Sequence, residues 1–546
     1  MQEAELRHAD DFRGDQLTAF FKSLLSSGAA RKRAPKLSSS SITFVTLACL
    51  FGGLLSLGHA QVGPQGAVPR AVTVAKAVAI PACTIFVDAS AASAGRGTVQ
   101  QPHKTIGTAV AAAEPGAIIC VAEGTYAEKL APGEKHFTLA GGFQRGSGFK
   151  VRDSSLYVSK AQGSGGSFFR SEDPGPKGDQ LTAIDGFEIT GYSQAIYRAI
   201  YYSQPFDVTN NHIHGNKCHE AGLAGGGVAL DNVSGRIEGN VFRNNACARG
   251  GAIFVNDGTK QNTVAIERNL IDGNAGTEPE SSHGGAVYLF GKTLKITANL
   301  FTRNTVTGWG AGLYVGAYTP DGLRTSATLN WNIYTLNSAG NAGGGMFCDD
   351  GATCASFHEV YYRNCGGNIY LDSASVGQGP TVARFDHLTN VGALDVGCKA
   401  PGPGVRIDRG DANAPDAYSF VNAIFWGNAT GQDFAASCEK NCRTVKVNVS
   451  HSMVQTEYVN NGLPVTFGPG NIKPVDPMFA APEASDFHLK SMAGRWSQAG
   501  YVSDPVTSPL LAQGYPQGAA DQNPERAGKR NELGAYGNSS EASYVR

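Results

Sequence analysis

Six glycine-rich phrases recur along the middle of the chain: GGGVA (Gly225–Ala229), GGAIF (Gly250–Phe254), GGAVY (Gly284–Tyr288), GAGLY (Gly310–Tyr314), GGGMF (Gly343–Phe347) and GGNIY (Gly366–Tyr370). The residue ahead of each reads Ala224, Arg249, His283, Trp309, Ala342 and Cys365. If the phrases hold one slot on successive turns of a repeat, Arg249, His283 and Trp309 make a strip of cation, imidazole and indole. A guanidinium matches a carboxylate or sulfate. An indole stacks on a sugar ring. An imidazole is a base near neutral pH. The strip therefore suits an anionic glycan, with Arg249 on the acid group and Trp309 under a ring, and His283 is a candidate base. The glycine pairs beside it would leave bare backbone for a flat ring to approach. The plainer reading is a row of ordinary turn residues at a permissive corner.

A second slot, just after each phrase, reads Asp231, Asn256, Phe290, Gly316, Asp349 and Asp372, with Asp257 and Asp350 adjacent. Asp349 and Asp372 on neighbouring turns would lie about 5 Å apart, the separation of a retaining glycosidase pair. With Asp350 they are also the candidate ligands for Ca²⁺, the one possible cofactor. Asp as a plain turn former is the alternative. His212, His214 and His219 cluster in NNHIHGNKCHE. Their spacing is too loose for a metal triad, so no metal site is assigned to them.

These columns exist only if the chain is a solenoid. A second phrase, aromatic or aliphatic, two residues, then Asn, alternates with the glycine phrase. It closes at Asn216, Asn245, Asn274, Asn304, Asn337, Asn364 and Asn428, and the first six are 29, 29, 30, 33 and 27 residues apart. A unit of that length, with short β runs and no helical period, fits one coil of a parallel β-helix. Successive coils are then about 4.8 Å apart, and like side chains stack on like. The repeated aromatics read as inward stacks and the asparagines as corner residues bonding the turn backbone. The cysteines fit this register. Cys218 lies seven residues after Asn211, and Cys247 seven after Asn240. The same slot on consecutive coils is within disulfide reach, which predicts Cys218–Cys247. Cys83 and Cys120, each on a short strand, are paired by the same logic. The connectivity of Cys348, Cys354, Cys365, Cys398, Cys438 and Cys442 stays open.

Basic residues 31–36, an apolar run Ile42–Leu57 and Gly58-His59-Ala60 before Gln61 have the order of a secretory signal peptide. The run is 16 residues, short for a bilayer span. Residues 1–60 therefore read as leader, 61–80 as linker, 81–537 as the β-helix with its closing coils, and 538–546 as a flexible tail. Cleavage also removes Cys49 and leaves an even ten cysteines, which suits disulfides in an exported chain. A secreted, periplasmic or cell-surface location follows, with no transmembrane span in the mature chain. Residues His103–Ala113 read as a short amphipathic helix capping the open end of the sheets. The chain has 45 Lys+Arg against 46 Asp+Glu, so no basic face argues for a nucleic-acid partner. Its 70 glycines among 546 residues, without a Gly-X-Y period, suit many tight turns and exclude collagen.

The opening FVDASAA…PHKTIGTAVAAAEPGAIICVAEGTY and the closing DPMF…DFHLKS…SPLLAQG…ELGAYG resemble exported right-handed parallel β-helix proteins of the pectate-lyase-like superfamily. The paired glycine and asparagine phrases look like those of chlamydial polymorphic outer membrane proteins. The resemblance implies an all-β, single-domain right-handed solenoid of about 10–13 coils, with polysaccharide or a cell-surface glycan as partner. Trp-x-Asp-His, Arg-x-Pro-x-x-Arg, the polygalacturonase set and the Asp-Pro-His phrase of alginate epimerases are absent. An adhesin-like binding protein is therefore the first expectation. A lyase or glycosidase on a uronic-acid glycan is the second.

Overall fold

In a computed structural model of the chain the described residues are 80–92, 95–172, 181–199, 205–219, 222–258, 262–278, 282–291, 293–316, 324–349, 351–372, 379–393, 398, 402–409, 415–428, 432–438, 445–456, 459–461, 465–497, 499–515 and 532–544. The leader, nearly all of the linker and Asp350 lie outside them.

Three long parallel sheets run through successive coils, with 14, 12 and 11 strands among the described residues. Each coil gives one short strand to each sheet, and the register never slips through the repeat. In the second sheet, for example, Phe242 pairs with Ile271, Ile271 with Phe301, Phe301 with Tyr334 and Tyr334 with Tyr361. These aromatics do face inward. Phe301, Tyr334 and Tyr361 stack with centroids 4.6 Å apart. They belong to one apolar core that runs from Val87 to Val449.

Two asparagine ladders hold the corners. In the expected one, Asn216, Asn245, Asn274, Asn304, Asn337 and Asn364 follow one another, each donating its backbone N–H and Nδ2 to the next Oδ1. The second runs five residues earlier, through Asn211, Asn240, Asn269, Asn299 and Asn332, and ends on Glu359. A buried turn needs such partners for its backbone polar groups.

The glycine-phrase aromatics correct the expectation. Val287 and Leu289 point into the core, so Tyr288 between them points out. Tyr288, Tyr314, Phe347 and Tyr370 form a separate cluster on the outer face of the third sheet, each at most 5% exposed.

Cys218–Cys247 and Cys83–Cys120 are disulfides, with Cα atoms 4.8 and 5.7 Å apart. Cys348–Cys354 and Cys365–Cys398 are two more. Cys218 and Cys247 are expected to resist maleimide in the unfolded, unreduced chain and to label after reduction. Labelling of either without reductant breaks the coil register.

The cap helix is Ile106–Ala112. Thr105 Oγ1 accepts from Thr108 N at 3.2 Å, and the Glu128 carboxylate accepts from the backbone N–H of Ile106 and of Gly107, at 2.8 and 2.7 Å. These contacts satisfy the first-turn donors.

The other end departs from the expectation of closing coils. The rungs of the first sheet reach Val465–Phe467. Beyond them the chain forms antiparallel pairs, Phe479–Ala481 with Asp486–Leu489 and Arg495–Ser497 with Gly500–Val502. This part folds back on the outer face of the second sheet, where Phe487, Leu489, Leu510 and Leu533 pack against Ile333, Val360 and Ile424. Nor are residues 538–544 a loose tail. Tyr544 N donates to Gly494 O and Ser543 Oγ to Leu489 O, both at 2.7 Å, and Ala542 is buried. The physical reason is the apolar outer face of the second sheet, which a bare solenoid would leave wet.

Candidate functional site

The structure places Arg249, His283 and Trp309 on three consecutive rungs of one corner. Gly250 N donates to Gly284 O at 2.8 Å, and Trp309 is bridged to His283 on one side and Ala342 on the other. Cys365 leaves the column and pairs with Ser338 instead. Its coil has one residue between the ladder asparagine and the glycine pair, where the two coils before it have five. Arg249 is exposed and ion-pairs with Glu278 at 3.3 Å. The His283 ring stacks on the Trp309 indole, 5.0 Å between centroids, and lies edge-on to Tyr314 at 4.9 Å. Trp309 is half-buried against the outer aromatic cluster around Ala342. One indole face is thus already covered by an imidazole.

The glycine pairs do not offer bare backbone. Gly250 has φ +56° and Gly310 φ +66°, and an added Cβ would fall 2.2 Å from Ile253 O and 2.9 Å from Leu313 O. They let the chain turn and let the next coil's aromatic approach.

Asp349 and Asp372 do lie on adjacent rungs, since Cys348 pairs with Leu371. The register adds Asp408 beside Asp372, a residue the sequence reading missed because its coil lacks the glycine phrase. Asp349 is buried and accepts from the Tyr314 hydroxyl at 3.1 Å. The Tyr370 hydroxyl lies 3.1 Å from Asp372 and 3.2 Å from Asp408. Burial first, and then those two carboxylates, push the Tyr370 hydroxyl far above its ordinary range, so it stays protonated and donates. Arg406 Nε holds Asp408 at 2.6 Å. This column is an acid–tyrosine ladder, and among the described residues its carboxylates do not gather into a three-ligand group.

A different corner carries an arrangement absent from both columns. Ahead of the second ladder each coil turns through a residue with positive φ, among them Ala298, Trp331, His358 and His387 at φ 55–61°. Trp331 stacks on His358 at 4.4 Å with the rings 4° apart, and His358 stacks on His387 at 5.2 Å. The rung on the other side of Trp331 carries Ala298, because Thr297 pairs with Asn330. Beside these rings a cleft of about 310 Å³ is lined by Asn330, Trp331, His358, Asn538, Ser539, Ser540 and Glu541. The Asn330 Oδ1 atom is buried with no hydrogen-bond partner. His358 Nδ1 bonds the Ala535 carbonyl at 2.9 Å, so Nδ1 carries the proton and Nε2 the lone pair. Burial, reinforced by His387, lowers the His358 pKa to about 4, which leaves the ring neutral at pH 7. Trp331 and Glu541 are 210 positions apart, so no sequence spacing could join them.

The family described as the right-handed beta helix region matches residues 193–382, and the family described as disaggregatase related matches residues 417–514. The chain is a right-handed parallel β-helix. No curated protein sequence matches it. Among solved structures, it is similar to pectate lyase Pel9A at 13% identity and TM-score 0.35, covering 83% of this chain and 95% of that one. It is also similar to the GH136 lacto-N-biosidase from Eubacterium ramulus at 12% identity and TM-score 0.33, covering 65% and 67%.

Proposed function

We propose that this protein is an exported, adhesin-like β-helix that binds extracellular polysaccharide, with the Trp331 cleft as its sugar seat. The carrying observation is the cleft itself: an indole that stacks on His358, with the small Ala298 on its other neighbouring rung and Tyr536 tilted at 6.3 Å, beside an unpaired buried amide oxygen, serine hydroxyls and a carboxylate. A pyranose ring has the complementary parts, an apolar C–H face for the indole and hydroxyl donors for Asn330 and Glu541. The four disulfides among the described residues support a life outside the reducing cytosol. Within this reading Arg249, with His283 and the Trp309 edge, contacts acid groups of a longer anionic chain.

The test is binding of the mature chain to neutral and uronic-acid polysaccharides. Trp331→Ala is expected to weaken binding by about 1.5 kcal/mol, roughly tenfold. Arg249→Ala is expected to weaken only anionic glycans, most at low salt. Unchanged affinity in Trp331→Ala with a loss in an Arg249→Ala/Trp309→Ala variant moves the seat to the strip.

One observation favours the second reading, a lyase or glycosidase on an acidic glycan. His358 Nε2 is a neutral base in the same cleft as the Glu541 carboxylate. Absorbance at 235 nm and reducing-end release from the same polysaccharides decide it.

A further inference from the structure

The outer face of the second sheet brings together three side chains that neither the columns nor the cleft use. His212 and His214 alternate on the strand His212–His214, so both leave the same face. Glu188, on the strand Phe187–Thr190 one rung back, pairs directly with His212. Glu188, His212 and His214 each offer one donor atom, and the three atoms lie within 4.8 Å of one another. Spacing along the chain misses this group, because the third donor is 24 residues upstream in a different phrase.

We infer that Glu188, His212 and His214 form a binding site for a zinc-class divalent ion. The site is independent of the glycan-binding reading. The geometry is close to a zinc face already. Zn²⁺ takes nitrogen at about 2.0–2.1 Å and carboxylate oxygen at about 2.0–2.2 Å, in tetrahedral geometry. Those lengths hold two donors about 3.4 Å apart. His214 Nε2 and Glu188 Oε1 stand at 3.2 Å. The two imidazoles lie side by side, 4.4 Å between centroids. His212 is exposed and can swing its ring to close the third edge.

Two imidazoles and one carboxylate select Zn²⁺, Co²⁺ or Ni²⁺ over the oxygen-seeking Ca²⁺ and Mg²⁺. Three protein ligands leave a fourth position open to water or an incoming group. Two cations oppose the ion: Lys160, whose Nζ sits 3.1 Å from the same Glu188 Oε1, and Arg243, which pairs with His214 on the next rung. Lys160 is partly exposed on a flexible stem and can leave the carboxylate, so it weakens the site without blocking it.

The experiment is calorimetric titration of the untagged mature chain with ZnCl₂ at neutral pH, paired with Co²⁺ absorption spectroscopy. The parent is expected to bind one Zn²⁺ per chain, and Co²⁺ to show tetrahedral d–d bands. His212→Ala and Glu188→Gln should each weaken Zn²⁺ by roughly tenfold or more. Lys160→Met should tighten it, which a merely structural ion-pair cluster would not show. All three side chains leave the outer face of the sheet, so melting temperatures should match the parent and certify the fold. Absence of saturable Zn²⁺ binding in the parent overturns the inference. So does Zn²⁺ affinity that His212→Ala and Glu188→Gln leave unchanged.

Discussion

Replacing Asn304 by alanine is expected to destabilise the fold by about 3–5 kcal/mol, the range for breaking a buried hydrogen-bond network. Asn304 is fully buried in the middle of its ladder. Its Nδ2 donates to Ile271 O and to Asn337 Oδ1, both at 2.9 Å. Its Oδ1 accepts from Asn274 N at 2.9 Å and from Asn274 Nδ2 at 3.1 Å. Truncation removes all four bonds and strands a carbonyl and an N–H in a dry corner. Water cannot replace them without opening two coils. The neighbouring Thr305 is exposed, and Thr305→Ala should stay within about 0.5 kcal/mol. Urea unfolding of the oxidised chain reads the difference. A cost below about 1 kcal/mol for Asn304→Ala would mean that the ladder follows from the coil and does not hold it.

This ladder was open to sequence reading because each of its members closes a near-periodic phrase with one apolar lead residue. The disulfides followed from the same register, since a stacked slot converts a sequence period into a fixed distance. The second ladder carries the same residue type, but its asparagines precede the strand and no aromatic marks them. Strand alternation also left the glycine-phrase aromatics ambiguous. Tyr288 can be placed opposite Val287 and Leu289 from period two alone, yet nothing local says which face is the core when both are apolar. The outward aromatics are covered, and so is the outer face of the second sheet. Coverage of the latter comes from the far C-terminal segment, which for Ile333 and Val360 lies more than a hundred residues downstream.

The candidate site was legible to the same degree. Columns along one corner could be read, and Arg249, His283 and Trp309 do sit on consecutive rungs. What those side chains do to one another could not be read. The His283–Trp309 stack and the Arg249–Glu278 pair depend on rotamers and on a neighbouring turn. The Trp331 cleft needs two walls, one from the solenoid corner and one from the folded-back end. Its only local signal is Trp331, a bulky residue where a left-handed turn favours Gly, Asn, Asp or His.

Glu359→Gln is expected to stabilise the protein at neutral pH and to leave it nearly unchanged near pH 4. Glu359 takes the slot after Asn332 in the second ladder and is buried in the core. Its Oε1 does the work of an asparagine oxygen, accepting from Asn332 N and Nδ2 at 3.0 Å each. Its Oε2 is buried beside the Tyr334 hydroxyl, and the two make no well-formed hydrogen bond. Burial therefore raises the Glu359 pKa well above the ordinary 4.5, against the pull of the Asn332 bonds and of the Tyr334 hydroxyl, and favours the protonated carboxyl in the folded chain. In the unfolded chain it ionises normally. The folded pKa is the higher one, so its favourable contribution is complete below the unfolded value and fades as pH rises. The loss is about 1.4 kcal/mol for each pH unit above the ordinary carboxylate range, until the folded pKa is reached. Glutamine keeps the oxygen for Asn332, adds an NH₂ donor where Oε2 stood, and has no proton to surrender. The stability gap between variant and parent should thus open as the pH rises from about 4 towards 7, until the folded pKa is reached. Urea unfolding of both chains across that range measures it. A gap that stays constant with pH would show that Glu359 carries its charge into the core, with a counter-charge that its buried surroundings do not supply.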